Sequence, residues 1–140
     1  MSEPLYTTEI LRLAASLDEP QALDREDGRA ELRSPTCGSR IDLIVQLDGE
    51  RRVERLSMRV QACAFGQASA ALLARHSRGR THDDVSDALL ALSRWLSYEH
   101  HEPGDWPGIV ALEPARAKRG RHGAILLPFR ALLAAIEAAR

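Results

Sequence analysis

The chain has 140 residues, 44% of them hydrophobic, enough for one packed core and too few for two ordinary domains, so residues 1–140 read as a single domain. With 19 basic and 20 acidic residues the formal charge is -1, which excludes a general electrostatic pull toward nucleic acid or an anionic membrane and leaves partner recognition to local patches. Glu3 and Glu9 interrupt the N-terminus, and no run approaches the about 18 continuous apolar residues of a membrane span, so a cytoplasmic protein is expected.

In chain order, Thr7 or Thr8 is placed to cap a helix with the apolar stripe Ile10, Leu13, Ala14 and Leu17. A polar segment follows, and from Gly28 the period changes to two. Ala30 and Leu32 alternate with Arg29, Glu31 and Arg33, and Ile41, Leu43, Val45 and Leu47 alternate with Arg40, Asp42 and Gln46. Asp48-Gly49 signals a hairpin whose returning arm sets Leu56, Met58, Val60 and Ala62 against Ser57, Arg59 and Gln61. These are the half-buried strands of a small antiparallel sheet.

The period turns helical in ACAFGQASAALLARH, with Cys63 at the join between strand and helix. Thr81 followed three residues later by Asp84 has the pattern of a capping box, and Val85, Ala88, Leu89, Leu92 and Leu96 form the stripe of a helix expected to run to about His100. Pro103, Gly104 and Pro107 break the chain around Trp106, and both Trp95 and Trp106 have the apolar neighbours of core residues. Residues 115–123 read as basic and irregular, and Pro128 suits the first turn of a last helix carrying Leu132, Leu133, Ile136 and Ala139. Segregated strands and helices indicate an α+β layer fold.

Cysteine carries the candidate chemistry. Cys37 sits in a loop between two strands, bounded by Pro35 and Gly38, and loops on rigid sheets often carry function. Cys63 opens a helix, where unpaired backbone N–H groups and the helix dipole favour anionic sulfur; the alternative is a buried small hydrophobe among Ala62, Ala64 and Phe65. A reducing compartment disfavours a structural disulfide, and the separation of the two cysteines is too long for a zinc knuckle. His100 and His101, beside Glu99 and Glu102, diverge on a helix and read as an exposed polar terminus; His76 and His82 read as solvated loop residues. The cations Arg116, Lys118, Arg119 and Arg121 suit an acidic partner surface better than nucleic acid, because aromatics are not interleaved with them.

Three motifs together resemble the U-type iron–sulfur cluster scaffold family, the NifU N-terminal, IscU and SufU-like proteins. SPTCG at residues 34–38 looks like the family's first-ligand turn, QACAFGQASAALL like its second-ligand helix, and RHGAILLPF at residues 121–129 like the motif leading into its last helix. The long stretch between the second and third motifs, with its helix and the PGDWPG break, is more similar to the SufU-like branch than to the shorter IscU branch. The resemblance implies a three-stranded antiparallel sheet covered by helices, and a non-enzymatic scaffold or carrier that takes sulfur from a cysteine desulfurase.

Carried over residue by residue, the resemblance makes Cys37 and Cys63 the ligands or sulfur-accepting thiols. The family's aspartate is matched by Ser39, a poor ligand for zinc or iron, and its third cysteine by Ala124, so two of four ligands are gone. A one-residue shift would put His122, whose neutral imidazole is a good ligand, at the histidine that precedes the third cysteine. Cys37, Cys63 and His122 would suit zinc with one open position, whereas a [2Fe-2S] cluster would need two thiolates from each protomer of a homodimer. The expected function is therefore iron–sulfur cluster assembly, binding iron or zinc or accepting sulfur, with the desulfurase and iron–sulfur acceptor proteins as partners. The alternatives are a desulfurase-docking regulatory module that has lost cluster binding, and a zinc-binding structural protein.

Overall fold

The computed structural model describes residues 6–35 and 38–139. Helix α1 (Thr8–Ala15) is followed by strands β1 (Gly28–Arg33), β2 (Arg40–Leu47) and β3 (Val53–Gln61), then by helices α2 (Ala64–His76), α3 (His82–Leu96) and α4 (Arg119–Ala138), with a 3-10 turn at Ile109–Ala115 before α4. The strands form one antiparallel sheet in the order β1-β2-β3, which is the α+β architecture expected from the alternating segments.

Register explains which face is buried. Ala30 pairs with Leu43 and Leu43 with Met58, while Leu32, Ile41 and Val60 form the adjoining row, so the apolar members of all three strands share one face. α4 lies across that face on β1 and β2, α2 packs beside α4, α1 packs on α2, and α3 packs on α4. Close approach of α4 to β1 requires Gly28: a Cβ there would lie 1.9 Å from the carbonyl oxygen of Ala135.

The outer face is covered in part by the segment between α1 and β1. Gln46 and Ser57, polar yet buried, receive backbone N–H groups from that segment: Gln46 Oε1 accepts from Asp24 and Arg25 at 3.1 and 3.3 Å, and Ser57 Oγ from Gln21 at 2.8 Å. Asp27 accepts the Leu47 N–H at 2.7 Å, and this bond, with Arg25 beside it, holds its carboxyl below the usual aspartate range against the opposing effect of desolvation.

Four boundaries differ from sequence expectation. Asp48-Gly49 does open a hairpin, but the loop runs to Arg52, with Asp48 Oδ1 accepting the N–H groups of Glu50 and Arg52. Arg51 takes the left-handed conformation (φ 60°) and its guanidinium reaches the Ile136 carbonyl near the end of α4. The ladder then shifts by one residue, so that Leu47 faces Val53.

α1 stops at Ala15 and α3 at Leu96, short of the expected His100. Tyr98 adopts φ 64° after α3, with Tyr98 N–H bonded to Trp95 and Glu99 N–H to Arg94, a left-handed closure of the kind glycine usually supplies. Arg116 stacks on the Tyr98 and Trp95 rings at 4.3 and 5.0 Å and bonds the Trp95 carbonyl. The stop signal is thus tertiary.

α4 starts at Arg119, not at Pro128, which lies inside it. Proline removes the bond its N–H would give to the Ala124 carbonyl. At this stretch α2 supplies the support, because the buried Ser69 hydroxyl donates to the Ile125 carbonyl at 2.6 Å.

Two outcomes test the packing. Gly28→Ala is expected to cost about 1–3 kcal/mol in urea unfolding, as overpacking of a close helix–strand contact does. At the same end of α4, His82 Nε2 lies 2.8 Å from Glu137, and that contact, then Asp83, raises its pKa above the ordinary 6.5 despite partial desolvation. The stabilisation is complete below 6.5 and lost as pH rises through the higher folded value, so Glu137→Gln should flatten the fall in thermal midpoint across that interval.

Candidate metal and sulfur site

Cys63 is the N-cap of α2, in extended backbone (φ -67°, ψ 172°), and its side chain makes no capping bond. It follows β3 directly. Gln67 fixes this junction twice: its N–H bonds the Cys63 carbonyl at 2.9 Å, and its side-chain amide donates to the Ala62 carbonyl at 3.0 Å. Cys63 is half-buried, at the margin of the core and not sealed within it.

The first-ligand turn lies at the same end of the sheet. Arg33 pairs with Arg40, and Arg40 with Gln61, two residues before Cys63. Ser34 N–H bonds the Ser39 carbonyl at 2.8 Å, Gly38 N–H bonds the Ser34 carbonyl at 3.1 Å, and Gly38 has φ 73°. Cys37 itself lies outside the described residues. Ser39, the match to the family's aspartate, is buried at 4% exposure.

α4 brings the third motif. Ala124 is buried at 1% exposure and faces the first turn of α2: a Cβ on Gly66 would meet that of Ala124 at 3.1 Å and its carbonyl oxygen at 3.2 Å. His122, half-buried, holds Nε2 at 2.9 and 3.0 Å from the carbonyls of Ala115 and Arg116. Carbonyls only accept, so Nε2–H donates, and in the neutral ring Nδ1 carries the lone pair. Sequence placed His122 in an irregular basic segment; the helix and the carbonyls of the preceding turn, which spacing alone does not reveal, give it this constrained ring.

The other histidines stand apart. His100 and His101 are exposed beyond α3, as their diverging side chains suggested. His76, expected in solvent, is half-buried at the end of α2, and burial pushes its imidazole pKa down. Among the described residues, no group of three or more His, Cys, Asp and Glu side chains converges as a metal site. Ser39 and Ala124, which the resemblance matches to family ligands, supply neither carboxylate nor thiol.

Comparison with solved structures gives this arrangement a family. A NifU-like protein (N-terminal) from Brucella abortus superposes with a TM-score of 0.86 at 30% identity, over 96% of this chain and 93% of that one. The chain belongs to the NifU-like, SufU-like family of iron–sulfur scaffold proteins. A putative iron–sulfur cluster assembly scaffold protein for the SUF system from Fervidobacterium islandicum AW-1 has the same fold, with a TM-score of 0.83 at 17% identity over 94% of this chain and 96% of that one. No family sequence model and no curated protein matches the chain. Among the described residues of this NifU-like chain, no helix is long and apolar enough to cross a membrane.

The α2–α4 contact that sets Gly66 against Ala124 includes the Ser69 hydrogen bond. Ser69→Ala should cost about 1–3 kcal/mol in urea unfolding, because the buried Ile125 carbonyl loses its hydroxyl donor.

Proposed function

We propose that this NifU-like protein serves iron–sulfur cluster assembly as a sulfur-handling scaffold, with Cys63 as the accepting thiol and Cys37 as its companion. The observation that supports the reading is the place of Cys63: half-buried at the head of α2, on the end of the fold where Ser39 and Ala124, the matches to the family's other ligands, also lie. In the transfer step, the Cys63 thiolate attacks the outer sulfur of a persulfide carried by a cysteine desulfurase. A new S–S bond forms, the old one breaks, and the desulfurase cysteine leaves as a thiolate, so no external oxidant is consumed. The backbone N–H groups of the first turn of α2 supply positive partial charge to the attacking anion.

Iron, or a nascent cluster, is cargo in this reading. Cys37, Cys63 and His122 provide at most three donors, whereas two thiolates from each of two protomers would meet the four that a [2Fe-2S] unit takes. A resident zinc on Cys37, Cys63 and His122 is the second reading, favoured by the Nδ1 lone pair that the Nε2 bonds leave on His122.

Incubated without oxygen with a cysteine desulfurase and L-cysteine, the protein should gain the mass of one sulfur atom on the peptide containing Cys63, and Cys63→Ser should not. Sulfur absent from that peptide sinks the transfer step. Metal and sulfide assays on protein purified without oxygen separate the other readings: iron with sulfide supports the scaffold, stoichiometric zinc the structural metal, and neither the interaction module.

A further inference from the structure

The first turn of α4 carries charge of the wrong sign for its place. Lys118 is the N-cap and Arg119 and Arg121 are in the opening turn, with no acidic residue there and no side-chain cap. A helix N-terminus bears positive partial charge, so cations at these positions oppose stability. Neither Lys118, Arg119 nor Arg121 makes a side-chain hydrogen bond or ion pair among the described residues. A Cβ on Gly120, between them, would meet no atom within 4 Å, so the turn stands clear of the rest of the fold.

On the opposite side of the same end, the outer face of the sheet presents Arg33 and Arg59. Both are exposed and likewise without partners among the described residues. The carboxylates on those rows are already taken: Glu31 pairs with Arg40, and Asp42 with Arg29 at 2.7 Å. Glu113, in the 3-10 turn before α4, is the acid nearest in sequence to the helix cations. At the far end of the sheet the charges are matched instead, Glu50 with Arg52 and Glu54 with Arg25.

We propose that Lys118, Arg119 and Arg121 on α4 and Arg33 and Arg59 on the sheet form a two-armed cationic rim around the Cys63 end that docks the acidic surface of a partner protein. The proposal rests on the proposed function only for the purpose of docking; the electrostatic recognition stands separately. A protein fits better than nucleic acid, because the sheet arm alternates cations with paired carboxylates and the exposed ring of Tyr98 is already stacked against Arg116 and so less open to a base.

Fluorescence anisotropy with a labelled polyglutamate peptide tests the rim directly, beside a labelled oligothymidylate of equal charge. Wild type should bind polyglutamate, the more tightly of the two, with affinity falling steeply between about 50 and 300 mM salt. Lys118→Glu, Arg119→Glu and Arg121→Glu together should weaken binding by about tenfold or more while raising the thermal midpoint, since they put acid where the helix favours it. Equal charge reversal at Arg12, Arg78 and Arg130 should leave binding intact. If the rim variant loses stability, Arg33→Gln with Arg59→Gln carries the same test on the sheet arm.

Cys37→Ser with Cys63→Ser should abolish sulfur acceptance and leave peptide binding unchanged, which separates failure of docking from failure of the sulfur chemistry. No polyglutamate binding, binding indifferent to the rim substitutions, or tighter binding of the oligothymidylate overturns the proposal.

Discussion

Where Pro128 interrupts the hydrogen-bond ladder of α4, the helix depends on its neighbour. α2 packs against this stretch through Ser69, whose hydroxyl donates to the Ile125 carbonyl one residue beyond the carbonyl that the proline leaves without its helical donor, and through Gly66, whose lack of a side chain lets Ala124 approach. Both residues lie within two turns of Cys63. The same contact joins the second and third motifs of the family. A side chain at Gly66 would push α4 away from the head of α2 and pull the site apart without altering a single donor atom.

Ser39 and Ala124, which the resemblance matches to two family ligands, sit in different surroundings. Ala124 is sealed between helices, where a methyl group fills the space and contributes to packing. Ser39 is buried beside the turn that its own carbonyl helps to close. Neither side chain is ionisable, so neither carries the desolvation penalty that a carboxylate or thiolate would meet at these buried places. The chain has the family's fold, with small neutral side chains buried at these two places.

Local signals were legible where local physics decides. Alternating residues placed all three strands, Thr81 and Asp84 form the capping box the sequence indicated, Thr7 caps α1, and Cys63 is the N-cap of α2. Signals failed where a distant residue overrides the local rule. Pro128 reads as a helix start yet lies inside α4, which packs along α2, and α3 has no glycine to announce its end, Arg116 stacking over Tyr98 instead. The site followed the same division: the sequence located Cys63, but the carbonyls that constrain His122 and the helix that gathers Lys118, Arg119 and Arg121 into one turn are products of the fold.

The strap between α1 and β1 has a consequence for how the domain is delimited. It looks dispensable, an irregular acidic connector outside the sheet, yet its peptide groups are the hydrogen-bond complement of Gln46 and Ser57. Trimming the chain back to the first strand would strand two polar side chains on a face that water would then have to reclaim. The smallest autonomous unit of this architecture thus begins well before its first strand, and inserting a tag or fusion joint into the connector would be felt on the far side of the sheet.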